Sequence, residues 1–303
     1  MNTRSETTSA KLGPHRYGLI LLMGLLAIAA QATPLIAQVE VETLTPGEDV
    51  YEVRLTDGSV LFARITAVEG ETIALLTVAD VRIEVESSQI RVARRAEGTV
   101  VEGEFWREDP NSSRLFFTAT GRTLRKGEAY IGTYIIVLPF FAVGLTDRIT
   151  IAAGAPVLFG QFEPFYVAPK LQVLRTDPAE ISVGTLAFFI DSTDEVVGIN
   201  YAVGTFGTPD RALTLGLGFG FLGDEFSNQP VGMIGGETRI SRRIELVTEN
   251  YFLPGKTGLV WSGGFRVIGE RFSTDLGIAG FVGGGSGCCV PLINFSYAIG
   301  RRK

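Results

Sequence analysis

The chain has 303 residues, of which 46% are hydrophobic and 20% charged, with a mean hydropathy of +0.25. That is too apolar for intrinsic disorder and leaves room for about two domains. A net charge of −6 excludes nucleic acid as a partner recognised through bulk charge, and two cysteines exclude a disulfide scaffold.

The N-terminus reads as an address. Met1–Arg16 is polar and basic, with Arg4, Lys11 and Arg16 against Glu6, and Tyr17–Ala30 is a short apolar run. At about 14 residues it falls short of the roughly 20 that a membrane-spanning helix needs. Ala30-Gln31-Ala32 follows as an A-x-A cleavage pattern, with a second candidate site after Ala37. Residues 1–37 are therefore expected to be a Sec-type signal peptide. Its removal takes away His15, the one histidine, and leaves a net charge of −8. Hydrolases that need an imidazole base are then excluded, as are most zinc sites. No catalytic, cofactor-binding or metal-ligating residue is expected. Cys288-Cys289, in GGGSGCCVP, reads as a vicinal disulfide or an incidental pair.

Residues 38–97 form an acidic β-domain, with 12 acids against 6 arginines. Tyr51–Leu55, Val60–Ile65, Ile73–Val78, Val81–Val85 and Ile90–Val92 read as five short strands, with turns at Asp57-Gly58 and Glu69-Gly70-Glu71. The runs VRLTDGSVLFARI (53–65), EGETIALLT (69–77) and IRVARR (90–95) resemble SH3-like and Sm-like small barrels. The acidic surface argues against RNA, so the resemblance implies a small periplasmic barrel. Residues 98–111 are expected to be a linker.

The remainder, 112–303, has another texture. From Gly127 onward lie 28 of the 37 glycines, and no segment keeps a helical period for three turns. Candidate strands are 128–146, 147–158, 163–175, 180–190, 195–206, 211–222, 229–240, 244–253, 257–269, 272–282 and 290–300, near the length a membrane strand needs. In Arg211–Leu222, Leu213, Leu215, Leu217, Phe219 and Phe221 share one face, while Thr214, Gly216, Gly218 and Gly220 share the other. In the last strand Ile293, Phe295, Tyr297 and Ile299 alternate with Asn294, Ser296 and Ala298. Inward glycine makes room in a narrow barrel.

Turn registers place charge inside. With Ser241-Arg242-Arg243 as a turn, Arg239 lies opposite Glu245, and Glu237, Arg239, Glu245 and Glu249 fall on the face opposite Ile240, Ile244 and Leu246. With Glu270-Arg271 as a turn, Arg266 lies opposite Asp275. These six charges are the candidate lumen residues, since an arginine on the lipid face costs about 2–4 kcal/mol at mid-depth.

Tyr134–Asp147 (YIIVLPFFAVGLTD), Leu213–Leu222 and Ile293–Ile299 resemble bacterial outer-membrane β-barrel proteins. The resemblance implies outer-membrane lipid and the barrel-assembly machinery as partners. Such barrels usually end on an aromatic residue. Here Arg301-Arg302-Lys303 follows, as a short tail past the last strand. Parity sets the count. With Gly283–Cys289 and Gly223–Asn228 as outer loops, 128–146 runs downward, so an upward strand must precede it. Arg114–Thr120 is that strand and Gly121–Gly127 the first outer loop. The expected fold is all-β, an antiparallel transmembrane barrel of twelve strands, or ten if two segments are misread. The function expected is a non-enzymatic structural protein or a narrow small-solute channel. A soluble secreted binding protein and a His-independent barrel enzyme are the alternatives.

Overall fold

A computed structural model describes residues 44–156, 164–190, 195–254, 258–283 and 287–299. The expected signal segment, 1–37, lies outside them. The first five strands are β1 (Val50–Leu55), β2 (Val60–Glu69), β3 (Thr72–Thr77), β4 (Arg82–Glu86) and β5 (Ile90–Arg95). They form an antiparallel sheet in the order β4-β3-β2-β1-β5, around a core of Val53, Ala63, Ile65, Ile73, Leu75 and Ala93. The expectation of a closed small barrel is corrected: a single 3-10 turn, Ser87–Gln89, carries the chain from β4 to β5, and the two do not pair. The expected linker is also structured. β6 (Gly98–Val101) and β7 (Glu104–Arg107) make a hairpin whose Phe105 stacks on Phe62 of β2, ring centroids 4.5 Å apart.

Twelve strands follow: β8 (Ala129–Tyr134), β9 (Leu138–Thr146), β10 (Ile149–Gly154), β11 (Phe165–Arg175), β12 (Ala179–Ile190), β13 (Glu195–Thr208), β14 (Arg211–Leu222), β15 (Glu225–Ser241), β16 (Ile244–Leu253), β17 (Gly258–Ile268), β18 (Phe272–Val282) and β19 (Gly287–Ala298). They close an antiparallel barrel in which β19 pairs with β8. The alternation of β14 runs through the wall: Leu213, Leu215, Leu217 and Phe219 are exposed outward, while Thr214 inside is fully buried. Ile293, Phe295 and Tyr297 of β19 likewise face out, against buried Asn294 and Ser296.

The count of twelve is right, but the expected route to it is not. The segment 128–146 is two strands, β8 and β9, turning at Ile135–Val137, where Ile135 and Ile136 adopt positive φ of 48° and 67°. Branched side chains are rarely placed there because the left-handed region crowds Cβ, so turn rules do not find this turn. Arg114–Thr120 is correspondingly no strand of the wall. It carries one isolated bridge, Arg114 with Ala119, and lies inside the barrel. Gly121–Gly127 is no outer loop: Lys126 N donates to Asp147 Oδ1 and Gly127 N to Gly144 O, beside the β9–β10 turn. Gly223–Asn228 shrinks to a tight turn, since Leu222 already pairs with Glu225. Cys289 stands within β19 rather than in a loop and is disulfide-bonded.

The β9–β10, β13–β14, β15–β16 and β17–β18 turns lie at one end, here the near end. The sheet sits against it: Arg54 Nη2 donates to Glu270 Oε2 at 2.7 Å, and Thr99 Oγ1 to Asp210 Oδ2 at 2.9 Å.

Candidate functional site: a lumen closed by its own chain

The six charges predicted for the lumen are all buried on the inner face. Arg239, Glu245, Arg266, Asp275 and Asn294 form one continuous cross-strand row over β15–β19. Glu237 stands in the next inward row and Glu249 in the one beyond, towards the far end. These residues do not line open water. Glu237, Glu249, Arg266 and Asn294 hold the segment Asp109–Arg125, which leaves the β6–β7 hairpin, enters the near end and fills the lower lumen.

That plug has almost no secondary structure, so its peptide groups need partners other than a ladder. The wall supplies them from side chains. Arg266, with no exposure, donates to Asp275 Oδ1 at 2.6 Å, to Asp109 Oδ2 at 2.8 Å and to the Leu115 carbonyl at 2.8 Å. Glu245 Oε2 lies 3.7 Å from the same guanidinium. A planar fork with five donors suits this task, which a point-charge ammonium would not. Glu249 accepts from the Phe117 and Thr118 amides at 3.0 and 3.1 Å, and from the Tyr251 hydroxyl. Glu237 takes Arg122 of the plug. Asn294 Nδ2 donates to the Phe116 carbonyl at 3.1 Å.

Arg239 departs from expectation. Its cross-strand neighbour is Glu245, yet its guanidinium turns to the near end. There it donates to the Arg107 and Arg242 carbonyls and to Asp210, and lies over the Trp106 ring at 5.4 Å. Residues opposite in register thus need not be ion partners when a third group competes.

Several anchors escape sequence reasoning. Lys170 donates to three plug carbonyls, Ser113 at 3.0 Å, Thr120 at 3.1 Å and Arg122 at 2.5 Å. Gln172 Nε2 and Ser182 Oγ both donate to the Gly121 carbonyl, at 2.8 and 2.7 Å. Arg114 donates to Ser296 Oγ at 2.7 Å while lying over the Tyr134 and Phe140 rings. The one signal available was a lysine and a glutamine at inward positions of a strand with no carboxylate in register.

Two inward glycines fit the plug closely. A Cβ on Gly235 would lie 2.5 Å from Leu115 Cδ1, and one on Gly277 would lie 3.2 Å from Phe116 Cζ. Leu115 and Phe116 are wholly buried with Val203, Met233, Val247 and Leu292.

At the near end a second set of charges docks the sheet. Glu52, 1% exposed, accepts from Arg54 Nε and Arg107 Nη1 at 2.7 Å and from Arg94 Nη2 at 2.8 Å. Burial alone would raise its pKa, but the hydrogen bonds from Arg107 and Arg94 outweigh this and hold the carboxyl at about 2. Arg54 and Arg94 also grip Glu270 in the β17–β18 turn. Burial likewise opposes the ionised form there, and the same two arginines leave its pKa lowered.

No protein-family profile and no curated protein matches the chain. Among solved structures it is similar to the NanC porin, with a TM-score of 0.39 and 9% identity, over 58% of this chain and 100% of that one. It is also similar to a loop-deletion form of OmpT, an outer membrane protein of Vibrio cholerae, with a TM-score of 0.34 and 10% identity, over 82% of this chain and 95% of that one.

Proposed function

We propose that the protein is a non-enzymatic outer-membrane barrel that serves as a gated narrow passage, held closed by its own segment Asp109–Arg125. The outward band of leucine, isoleucine and phenylalanine supports a membrane setting, since such a surface in water would invite association. The signal segment and the placement of the sheet beside the short-turn end support a periplasmic position for residues 38–97.

The observation that carries the gating reading is the row Arg239–Glu245–Arg266–Asp275–Asn294. A barrel sealed for strength alone is best filled with apolar side chains, because buried ion pairs add little net stability over well-packed hydrophobic ones. A polar wall in which Arg266 and Asn294 reach a removable strand of chain is instead a wall that water can rewet. Passage of a small solute follows when the plug leaves.

Planar-bilayer conductance of the refolded mature chain tests this. Wild type is expected to stay closed at modest voltage, and a variant lacking residues 109–125 to open steps of steady current. Equal conductance of the two forms would overturn the proposal.

A further inference from the structure

The chain carries a net charge of −6, yet the cations of the barrel are not spread evenly. Among its described residues, every lysine and arginine lies inside the lumen or at the near end. The described far-end turns carry none, and the β14–β15 turn there exposes Asp224 and Glu225. Arg211, Arg242, Arg243 and Arg271 stand on three successive near-end turns, β13–β14, β15–β16 and β17–β18. Main-chain hydrogen bonds tie these turns into one ledge. Arg239 N donates to Asp210 O at 2.8 Å, Ile268 N to Arg243 O at 2.8 Å and Ala298 N to Arg271 O at 2.7 Å.

The acids of the same turns have other partners. Asp210 accepts from Arg239 and Thr99, and Glu270 from Arg54 and Arg94. The four arginines pair with no described carboxylate, and Arg211, Arg242 and Arg243 are exposed. Arg211 shares the outward face with Leu213 and Leu215, and its cross-strand row runs through Thr238 to Leu246 and Phe265. Arg271 lies over the outward Tyr297 ring, 5.7 Å from its centroid, beside exposed Phe272. Aromatic girdles mark the level where hydrocarbon gives way to headgroups. An arginine at that level lays its stem on apolar wall and keeps its guanidinium among the headgroups. The planar fork of a guanidinium also matches the oxygens of a phosphate.

We propose that this ledge binds an anionic glycerophospholipid of the phosphatidylglycerol class, from the leaflet at the near end. Arg211, Arg242, Arg243 and Arg271 hold its phosphodiester, and its acyl chains lie along the exposed Leu213, Ile240 and Leu246. The protein as a whole is acidic and repels such a headgroup, so the attraction belongs to the ledge and acts over about a Debye length. The opposite side of the rim differs. In the β9–β10 turn Arg148 stands next to exposed Asp147, and at the β11–β12 turn Arg175 is paired with Glu180. The site rests on the membrane setting proposed above but does not require the plug to move.

The test titrates the refolded mature chain, in non-ionic detergent, with phosphatidylglycerol or with phosphatidylcholine of the same acyl chains, and counts bound lipid by native mass spectrometry. Wild type is expected to bind phosphatidylglycerol about tenfold more tightly, the scale set by a few arginines at a membrane surface. The variant Arg211→Gln, Arg243→Gln, Arg271→Gln is expected to bind the two lipids alike. Gel mobility before and after heating verifies folding, and Arg242→Gln, Arg243→Gln is the smaller variant should the first not fold, expected to lose part of the preference. Arg82→Gln, Arg91→Gln, Arg148→Gln removes the same charge elsewhere and is expected to keep the preference. Equal binding of both lipids by wild type would overturn the proposal. So would a preference that survives in the ledge variants, or one lost equally in the control, which would mean attraction to diffuse charge. Displacement of the lipid by millimolar glycerol 3-phosphate would reject a membrane lipid as the occupant. A plug that fails to gate current leaves these readings unaffected, and a ledge without preference leaves the current unaffected, so the two proposals fail separately.

Discussion

Two sets of arginine–carboxylate contacts hold the plug end of this chain, and they differ in their surroundings rather than their chemistry. Arg266 meets Asp275 and Asp109 with no exposure at all, deep in the barrel. Arg54 and Arg94 meet Glu270 at the rim, where all three side chains are a quarter to two-fifths exposed. Water and salt screen the second set and reach none of the first. A buried pair is costly to break because the survivor is left charged in a medium that cannot solvate it, whereas a rim pair simply rehydrates. The same residue types thus make an unscreened buried anchor in one place and a salt-sensitive clasp in the other.

The sharpest way to break that comparison is Arg266→Ala. It leaves Asp275 and Asp109 without their cation and the Leu115 carbonyl without a donor. The expected loss is about 3–5 kcal/mol, read as a lower urea midpoint in detergent micelles. Asp275→Ala is expected to cost less, because Asp109 and Glu245 remain beside the guanidinium. The double variant is expected to cost less than the sum of the singles. Simple additivity would mean that the row is not a coupled unit.

Acid tests the rim. Glu52 ionises in the folded sheet at about 2, below its usual 4.5, so its contribution is complete above about pH 4.5 and is lost as pH falls towards 2. Glu270 shifts in the same direction. For Glu52 the linkage is on the order of 3 kcal/mol. Protease added to the micelle-bound protein is expected to release the N-terminal sheet between pH 4.5 and 2 while the barrel stays folded. Loss of the barrel at the same pH as the sheet would erase the distinction between the two sets.

Packing gives the next effect. Gly235→Ala drives a methyl group against Leu115 and the Thr248 carbonyl, so it is expected to destabilise by about 1–3 kcal/mol. Leu115→Ala in the same chain is expected to recover part of that loss, because it removes one of the two obstacles. No recovery would mean that Leu115 does not press on this strand in solution.

What the sequence showed and what it hid follow from the range of the interactions. Arg266 opposite Asp275, and Arg239 opposite Glu245, are set by hairpins of a few residues, so alternation and turn length suffice to read them. The inward glycines of β14 are legible for the same reason. The plug is not. RLFFTAT is apolar enough to be taken for a strand of the wall, and what keeps it out of the wall is a set of partners up to 182 residues away, such as Ser296 for Arg114. The Ile135–Val137 turn was hidden because its residues are the ones turn chemistry excludes. Missing it required an extra strand, and Arg114–Thr120 filled the vacancy, so two errors cancelled in the count. The six charges lie on the inner face, and their place around the plug depends on contacts that no hairpin register carries.

The smallest expected effect sharpens the comparison from its weak side. Glu270→Gln keeps the shape of the side chain and removes its charge, while Arg54 and Arg94 retain Glu52 as a partner. A partly exposed pair of this kind is worth about 0–1 kcal/mol, so the unfolding midpoint of the barrel should scarcely move. Its effect should appear instead in the docking of the sheet. Raising salt loosens the wild-type clasp by screening, and Glu270→Gln should make release of the sheet by protease less dependent on salt, because the charge being screened is gone. Arg266→Ala should show the opposite pattern, a large fall in barrel stability with little salt dependence. Should Glu270→Gln instead destabilise the barrel as much as Arg266→Ala does, the rim contact would belong to the core of the fold, and the division between anchor and clasp would fail.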